Sequence, residues 1–341
     1  MAFLGLNTLA QKGIFILYMG LWISYGLLNQ HAKSSQLSFN TASAVLLQSL
    51  LKIAISVHLF VQQDGTVCEL IQKAQRNGRV FMLYMIPAFL YAVYDILSYV
   101  NLQKLDPPTY FLLLQFRLVL TGFVHQTMFQ RHLNRNQWMA LLVTTAGCAI
   151  KTIGDAVEQT SDERSESSFV IYGLVFLQIL SSTIAGVYNE LLLKKQNTIP
   201  LNLQNIFMYI NSVLVLLVLL SLGLTGQHIG EAIQWENMRI LFYPQIFAMV
   251  VIMSCVGVVT SMFLKLLDSV RKAIASALEL VVLPILTSLF FQIPITMHLI
   301  LAVACVSSGV YLYSMPVTKV EDDVKDNDDD LERLEGAKHK T

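Results

Sequence analysis

Ionisable side chains stand inside long apolar stretches of this 341-residue chain: Lys52, Asp95, Arg117, Glu190 and Glu279. The clearest case is YFLLLQFRLVLTG, Tyr110–Gly122, where Arg117 is surrounded by leucine and phenylalanine. Insertion of a charge at the centre of a membrane helix costs about 2.5–3.5 kcal/mol, so such groups face a protein interior or a wet cavity and find partners. Arg117 lies about 8 residues into its stretch, roughly 12 Å from the end at helical rise. Two chemistries suit it. One is an ion pair with Asp95 or Glu279. The other is a ligand phosphate, since a guanidinium presents a rigid fork of donors matched to phosphate oxygens. The two can alternate, a carboxylate being exchanged for ligand. Lys52 and Glu190 read as structural pairing groups. Tyr110 lies two turns before Arg117 on about the same helix face, and Tyr94 adjoins Asp95. A base stacked on tyrosine with its phosphates on arginine makes a coherent nucleotide site.

No other chemistry competes. His31, His58, His125 and His132 have no metal-ligand spacing, and His125 reads as an interior histidine. Cys68, Cys148, Cys255 and Cys305 form no pair spaced for a metal or a disulfide framework. No catalytic constellation is present, so the expectation is a protein that is not an enzyme and carries no cofactor or metal.

The elements that must position these groups are membrane helices. Hydrophobic residues make up 55% of the chain and charged residues 13%, and mean hydropathy is +0.57. Soluble domains carry about 25% charged residues. Lys+Arg and Asp+Glu are both 23, so net charge points to no polyanionic partner, and no nucleic acid is expected. Ten stretches read as spans: Gly13–Leu28, Ala42–Val61, Val80–Leu102, Thr109–Gln130, Trp138–Ile153, Phe169–Leu193, Leu201–Leu222, Tyr243–Leu264, Lys272–Phe291 and Met297–Tyr313. Polar loops follow at Gln62–Arg79 and around Glu158–Ser168. The tail 317–341, with its run EDDVKDNDDD, reads as a disordered, solvated acidic segment.

An even number of spans puts both termini on one side. Loops on that side would hold Lys73, Arg76, Arg79, Arg131, Arg135, Lys194, Lys195, Lys265, Arg271 and Lys272. Those opposite would hold Lys33, Lys104, Lys151, Arg164 and Arg239. This bias of roughly two to one places both termini in the cytoplasm.

A weak internal repeat links the halves. One constant offset pairs Asp106 with Asp268, Phe129–Gln130 with Phe291–Gln292, Gly147 with Gly309, and Arg117 with Glu279. Five spans per half is odd, which inverts one half relative to the other. Inverted repeats are a signature of secondary transporters, whose site lies between the halves near the midplane. The fold expected is therefore all-α: a polytopic membrane protein of ten transmembrane helices in two inverted five-helix repeats. The membrane domain covers 1–316, with halves of about 1–154 and 169–316, and the acidic tail follows.

The chain resembles the nucleotide-sugar transporter family of the drug/metabolite transporter superfamily, in the branch carrying CMP-sialic acid, UDP-galactose and UDP-N-acetylglucosamine. The resemblance covers Ala42 to Pro316. It rests on the order and spacing of IPAFLYAVYD (Ile86–Asp95), QFRLVLT (Gln115–Thr121), LNRNQWMALL (Leu133–Leu142), AGVYNELLLK (Ala185–Lys194), NIFMY (Asn205–Tyr209) and LDSVRK (Leu267–Lys272). It implies ten helices in two inverted halves with cytoplasmic termini. It also implies exchange of a cytosolic nucleotide sugar, a UDP-sugar favoured, for lumenal nucleoside monophosphate. The compartment implied is the Golgi membrane, or the endoplasmic reticulum. The partners are nucleotide sugar, nucleoside monophosphate and the lipid bilayer, with room for a homo-oligomer. Family site positions fall on Tyr94, Asp95, Tyr110, Arg117, Ser182, Asn205, Tyr209 and Lys272. Arg117 and Lys272 would hold phosphates, Tyr110 would stack on or border the base, and Ser182, Asn205 and Tyr209 would hydrogen-bond base and ribose. The chain departs from the family pattern at Arg117, where lysine is usual, and at Tyr94–Asp95, where an asparagine pair is usual. Two rival readings are a carrier of another phosphorylated or cationic metabolite on the same fold, and a regulatory family member that does not transport.

Overall fold

The computed structural model describes residues 3–34, 39–105, 107–130, 132–158, 169–224, 228–291 and 296–315. The acidic tail, the polar loop before Phe169, and Asp106 and Gln292 of the repeat lie outside the described residues. All regular structure among those described is helical. In chain order the helices are α1 Leu9–Ser34, α2 Thr41–Gln63, α3 Val67–Arg76, α4 Gly78–Leu83, α5 Met85–Lys104, α6 Pro107–Leu114, α7 Arg117–Phe129, α8 Arg135–Glu158, α9 Phe169–Lys195, α10 Leu201–Ser221, α11 Ile229–Ile233, α12 Trp235–Ile240, α13 Pro244–Leu266, α14 Ser269–Phe291 and α15 Met297–Ser314.

Each apolar stretch of the sequence is helical, and local residues set several boundaries. Asn40 caps α2 by accepting the Ser43 N–H. Thr66 and Glu69 close a reciprocal capping box on the amphipathic α3. Pro244 opens α13, where its missing N–H has no helical partner to lose. Among the described residues, seven helices are long and apolar enough to cross a membrane. Large apolar side chains such as Ile16, Phe123, Val218 and Phe290 are exposed on the helices.

Two spans expected to be continuous are interrupted. Pro87 has no N–H to give and its ring crowds the carbonyl four residues back, so the helix breaks at Tyr84 between α4 and α5. Between α6 and α7 the bonding tightens to three-residue spacing, with Gln115 N–H on Leu112 O, Phe116 N–H on Leu113 O and Leu118 N–H on Gln115 O at 3.1–3.2 Å. Tight turns within a long helix often mark functional hinges. This one lies immediately before Arg117.

Helices meet in lipid without a hydrophobic driving force, so small residues and polar bonds join them. A Cβ on Gly147 would stand 2.8 Å from the Cβ of Cys305, and one on Gly309 would stand 2.9 Å from the Ala140 carbonyl. These two glycines let α8 and α15 pack backbone to backbone. Elsewhere α1 packs on α13, α9 on α5, and α2 on α10.

Candidate functional site

A cavity of about 350 Å³ opens between α5, α6, α7, α8, α9 and α14. That lies within the usual range for small-molecule pockets, about 300–1,000 Å³. Its walls include Tyr91, Tyr94, Gln115, Arg117, Thr121, Ser182, Thr183, Ser269, Lys272 and Ser276 among apolar neighbours.

The two cations define its chemistry. The Arg117 guanidinium lies 5.0 Å over the centre of the Tyr94 ring, and its buried Nε has no hydrogen-bond partner among the described residues. Neither Arg117 nor Lys272 forms an ion pair among the described residues. The pairings of Arg117 with Asp95 or Glu279 considered from sequence are thus not formed in this state. Asp95 instead shares the field of Lys52. Two like charges on one wall, neither in an ion pair among the described residues, suit an anionic ligand.

A buried carboxylate is bonded to the cavity-wall residue Ser269. Glu190 of α9 accepts from Lys194 Nζ at 2.6 Å, from the Ser269 backbone N–H at 2.7 Å and from the Ser269 hydroxyl at 2.6 Å. His125 Nε2 stands 3.5 Å from it. The His125 ring stacks on Phe129, and Lys194 Nζ lies 5.5 Å over that same ring. His125 is only half satisfied, because its buried Nδ1 has no partner among the described residues. Asp268 caps the start of α14 by accepting the Arg271 N–H at 2.7 Å.

These contacts fix the register. His125 faces Glu190 and Phe129 faces Lys194, so α7 and α9 run alongside in the same direction. Arg117 then stands level with Ser182 and Thr183. Ser269 meets Glu190 and α14 runs the opposite way, so Lys272 stands level with Val187 and Ser276 level with Thr183. The cations are therefore about five residues of helix, roughly 7.5 Å, apart along the cavity axis.

Of the positions named from sequence, the cavity brings together Tyr94, Arg117, Ser182 and Lys272. Tyr110 lies outside its walls. That residue is buried, with its hydroxyl between Ser98 at 2.9 Å and the Gln178 amide at 2.7 Å, and Gln178 in turn accepts from Asn101. Asp95 lies one residue beyond the Tyr94 wall. Asn205 and Tyr209 sit on α10 near α2. Tyr209 is buried beneath Lys52, whose Nζ lies 6.0 Å from the ring centre, and the Asn205 side-chain nitrogen has no partner among the described residues. Sequence reasoning missed Tyr91, Thr121, Thr183, Ser269 and Ser276. For most of these a signal existed: Thr121 follows Arg117 by four residues, Ser269 and Ser276 flank Lys272 by three and four, and Tyr91 precedes Tyr94 by three. Residues at those spacings share a helix face.

Comparison with known proteins gives a consistent set. A family model described as nucleotide-sugar transporter matches residues 7–314. The UDP-galactose transporter senju of Drosophila melanogaster is 35% identical, with 88% of this chain and 85% of that protein covered. UDP-galactose translocator 1 of Caenorhabditis elegans is 25% identical, with 86% and 84% covered. CMP-sialic acid transporter 1 of Oryza sativa subsp. japonica is 23% identical, with 86% and 91% covered. A solved crystal structure overlays with a TM-score of 0.66 at 13% identity, covering 92% of this chain and all of that one, which is a likeness of fold alone.

Proposed function

The chain belongs to the nucleotide-sugar transporter family, and from that premise we propose that it exchanges a cytosolic pyrimidine nucleotide sugar, UDP-galactose first among them, for lumenal nucleoside monophosphate. The observation that carries the reading is the pair of cations that form no ion pair among the described residues, Arg117 and Lys272, on the wall of one cavity beside Tyr94. A diphosphate spans such a pair, with one phosphate per cation. Lys272 holds the phosphate nearer Ser269, and Arg117 holds the other from its seat on the Tyr94 face. Ser182 bonds the base or ribose.

Tyr110, Asn205, Tyr209 and Asp95 lie off the cavity here. We assign Asn205 and Tyr209 to the nucleoside in the form open to the opposite face, with the tight turn before Arg117 as a hinge. The mechanism is alternating access, in which two halves rock about the site. The halves are about 1–154 and 169–316, inverted, with ten spans in all.

Helix packing supports the inverted repeat. Under the sequence offset α1 corresponds to α9 and α5 to α13, and α1 packs on α13 as α9 packs on α5. The same offset exchanges Gly147 with Gly309 and Thr144 with Val306. A Cβ on Gly147 would meet Val306, and one on Gly309 would meet Thr144. Both termini are assigned to the cytoplasm and the protein to the Golgi membrane, from basic-residue bias and family resemblance.

The test is counterflow with purified protein in liposomes preloaded with UMP, CMP or GMP, against a panel of labelled nucleotide sugars. Uptake of a UDP-sugar driven by internal UMP is expected. Uptake unaffected by any internal nucleotide would refute exchange.

A further inference from the structure

Threonines inside helices ordinarily turn the hydroxyl back onto the carbonyl three or four residues earlier. In this protein Thr121, Thr127, Thr145, Thr152 and Thr260 all do so, at 2.7–3.0 Å. Ser181 and Ser182, the two residues before Thr183, do the same. Thr183 does not. Its residue is 3% exposed, its hydroxyl is closed off from solvent, and that hydroxyl has no hydrogen-bond partner among the described residues. It is also part of the cavity wall.

A buried polar group without a partner is costly, and each such group in a folded protein calls for an explanation. The cavity wall holds a second orphan, Arg117 Nε. The register set by Glu190, His125 and Ser269 places Thr183 level with Arg117, and with Ser276 across on α14. Two unsatisfied donors at one height ask for one acceptor between them. The guanidinium can only donate, so the group it receives is an acceptor, and the hydroxyl beside it donates as well. Rotation about a single side-chain bond brings the hydroxyl onto the wall that Thr183 already forms.

We propose that Thr183 is a ligand-holding residue of the transport cavity, its hydroxyl donating a hydrogen bond to the phosphate oxygen gripped by Arg117. The assignment rests on the anion-exchange reading of the cavity. It makes the site around Arg117 selective for a group rich in acceptor oxygens.

The experiment compares full-length wild type, Thr183→Val and Thr183→Ser. One readout is the concentration of UDP-galactose that half-saturates exchange against internal UMP. The other is the melting temperature of purified protein, empty and with UDP. Valine matches threonine in shape and replaces the hydroxyl by a methyl group. The half-saturating concentration is expected to rise about tenfold in Thr183→Val, the worth of one hydrogen bond to a charged acceptor. Its empty melting temperature should stay level or rise, because an unpartnered polar atom has gone, while the stabilisation by UDP shrinks. Thr183→Ser should return the half-saturating concentration to within about threefold of wild type. Wild-type values throughout for Thr183→Val would overturn the inference, as would equal weakening of the valine and serine variants, which marks packing. Wild-type protein that neither exchanges nor is stabilised by UDP, CMP or their sugar conjugates overturns the substrate reading together with this inference. A responsive wild type with an equally responsive Thr183→Val overturns this inference alone.

Discussion

The Glu190 carboxylate accepts the Ser269 backbone N–H at 2.7 Å, joining the end of α9 to the first turn of α14. Lys272 is on that same turn and on the cavity wall. That carboxylate is thus bonded to the turn that carries the cavity's lysine. All the groups gathered around Glu190 are donors: Lys194 Nζ, the Ser269 N–H and hydroxyl, and His125 Nε2.

Glu190→Gln tests this joint. An amide offers an N–H₂ to neighbours that themselves donate, so at least one buried bond is lost. Hydrogen bonds to a charged group are worth about 1.5–3 kcal/mol. A fall of several degrees in melting temperature is expected, with a weaker half-saturating concentration for exchange because Lys272 is less firmly held. A variant as stable as wild type would remove Glu190 from the joint between α9 and α14.

Arg117 separates binding from folding. It has no ion pair to lose among the described residues, so Arg117→Ala should insert and melt as wild type does, while exchange of the preferred nucleotide sugar disappears. Arg117→Lys keeps the charge without the planar fork and should retain exchange at a half-saturating concentration raised about tenfold. Full exchange by the alanine variant in counterflow would return Arg117 to a structural role.

Tyr94 supplies the face on which the guanidinium rests. Phenylalanine preserves that face and leucine does not. A cation on an aromatic ring is worth about 0.5–2 kcal/mol. Tyr94→Phe should therefore exchange nearly as wild type, and Tyr94→Leu should lose about fivefold in half-saturating concentration, read in the same counterflow assay. Equal losses in both would assign the effect to the hydroxyl instead.

Much of this is legible in the amino-acid order alone. Each apolar run is a helix because apolar length drives that outcome, and the break at Tyr84 follows from Pro87. The turn at Gln115–Phe116 has no proline or glycine to announce it. It also shows why Tyr110, on Arg117's face in an unbroken helix, instead bonds Gln178 and Ser98 outside the cavity. Arg117 stands out as a charge where charge is expensive, whereas Lys272, at the start of its span, is reached only through the family resemblance. Thr183 does not, since one hydroxyl among many in apolar helices carries no pattern, and only its missing partner distinguishes it.

The paired glycines offer a test of the inverted halves that does not touch the ligand. In Gly309→Ala the new methyl would stand 2.9 Å from the Ala140 carbonyl and 3.1 Å from the Thr144 backbone nitrogen. In Gly147→Ala it would stand 2.8 Å from the Cys305 Cβ and 3.1 Å from the Val306 backbone nitrogen. Backbone atoms cannot swing aside as a side chain does, so α8 and α15 must part along their length. Overpacking of this kind costs about 1–3 kcal/mol. Each variant should melt lower and give less monodisperse protein on size exclusion. Neither glycine lines the cavity, so the half-saturating concentration of the folded fraction should not change. The two losses should be similar, because the offset that relates the halves exchanges one contact with the other. A large loss at one glycine with none at the other would argue against mirrored packing at this seam.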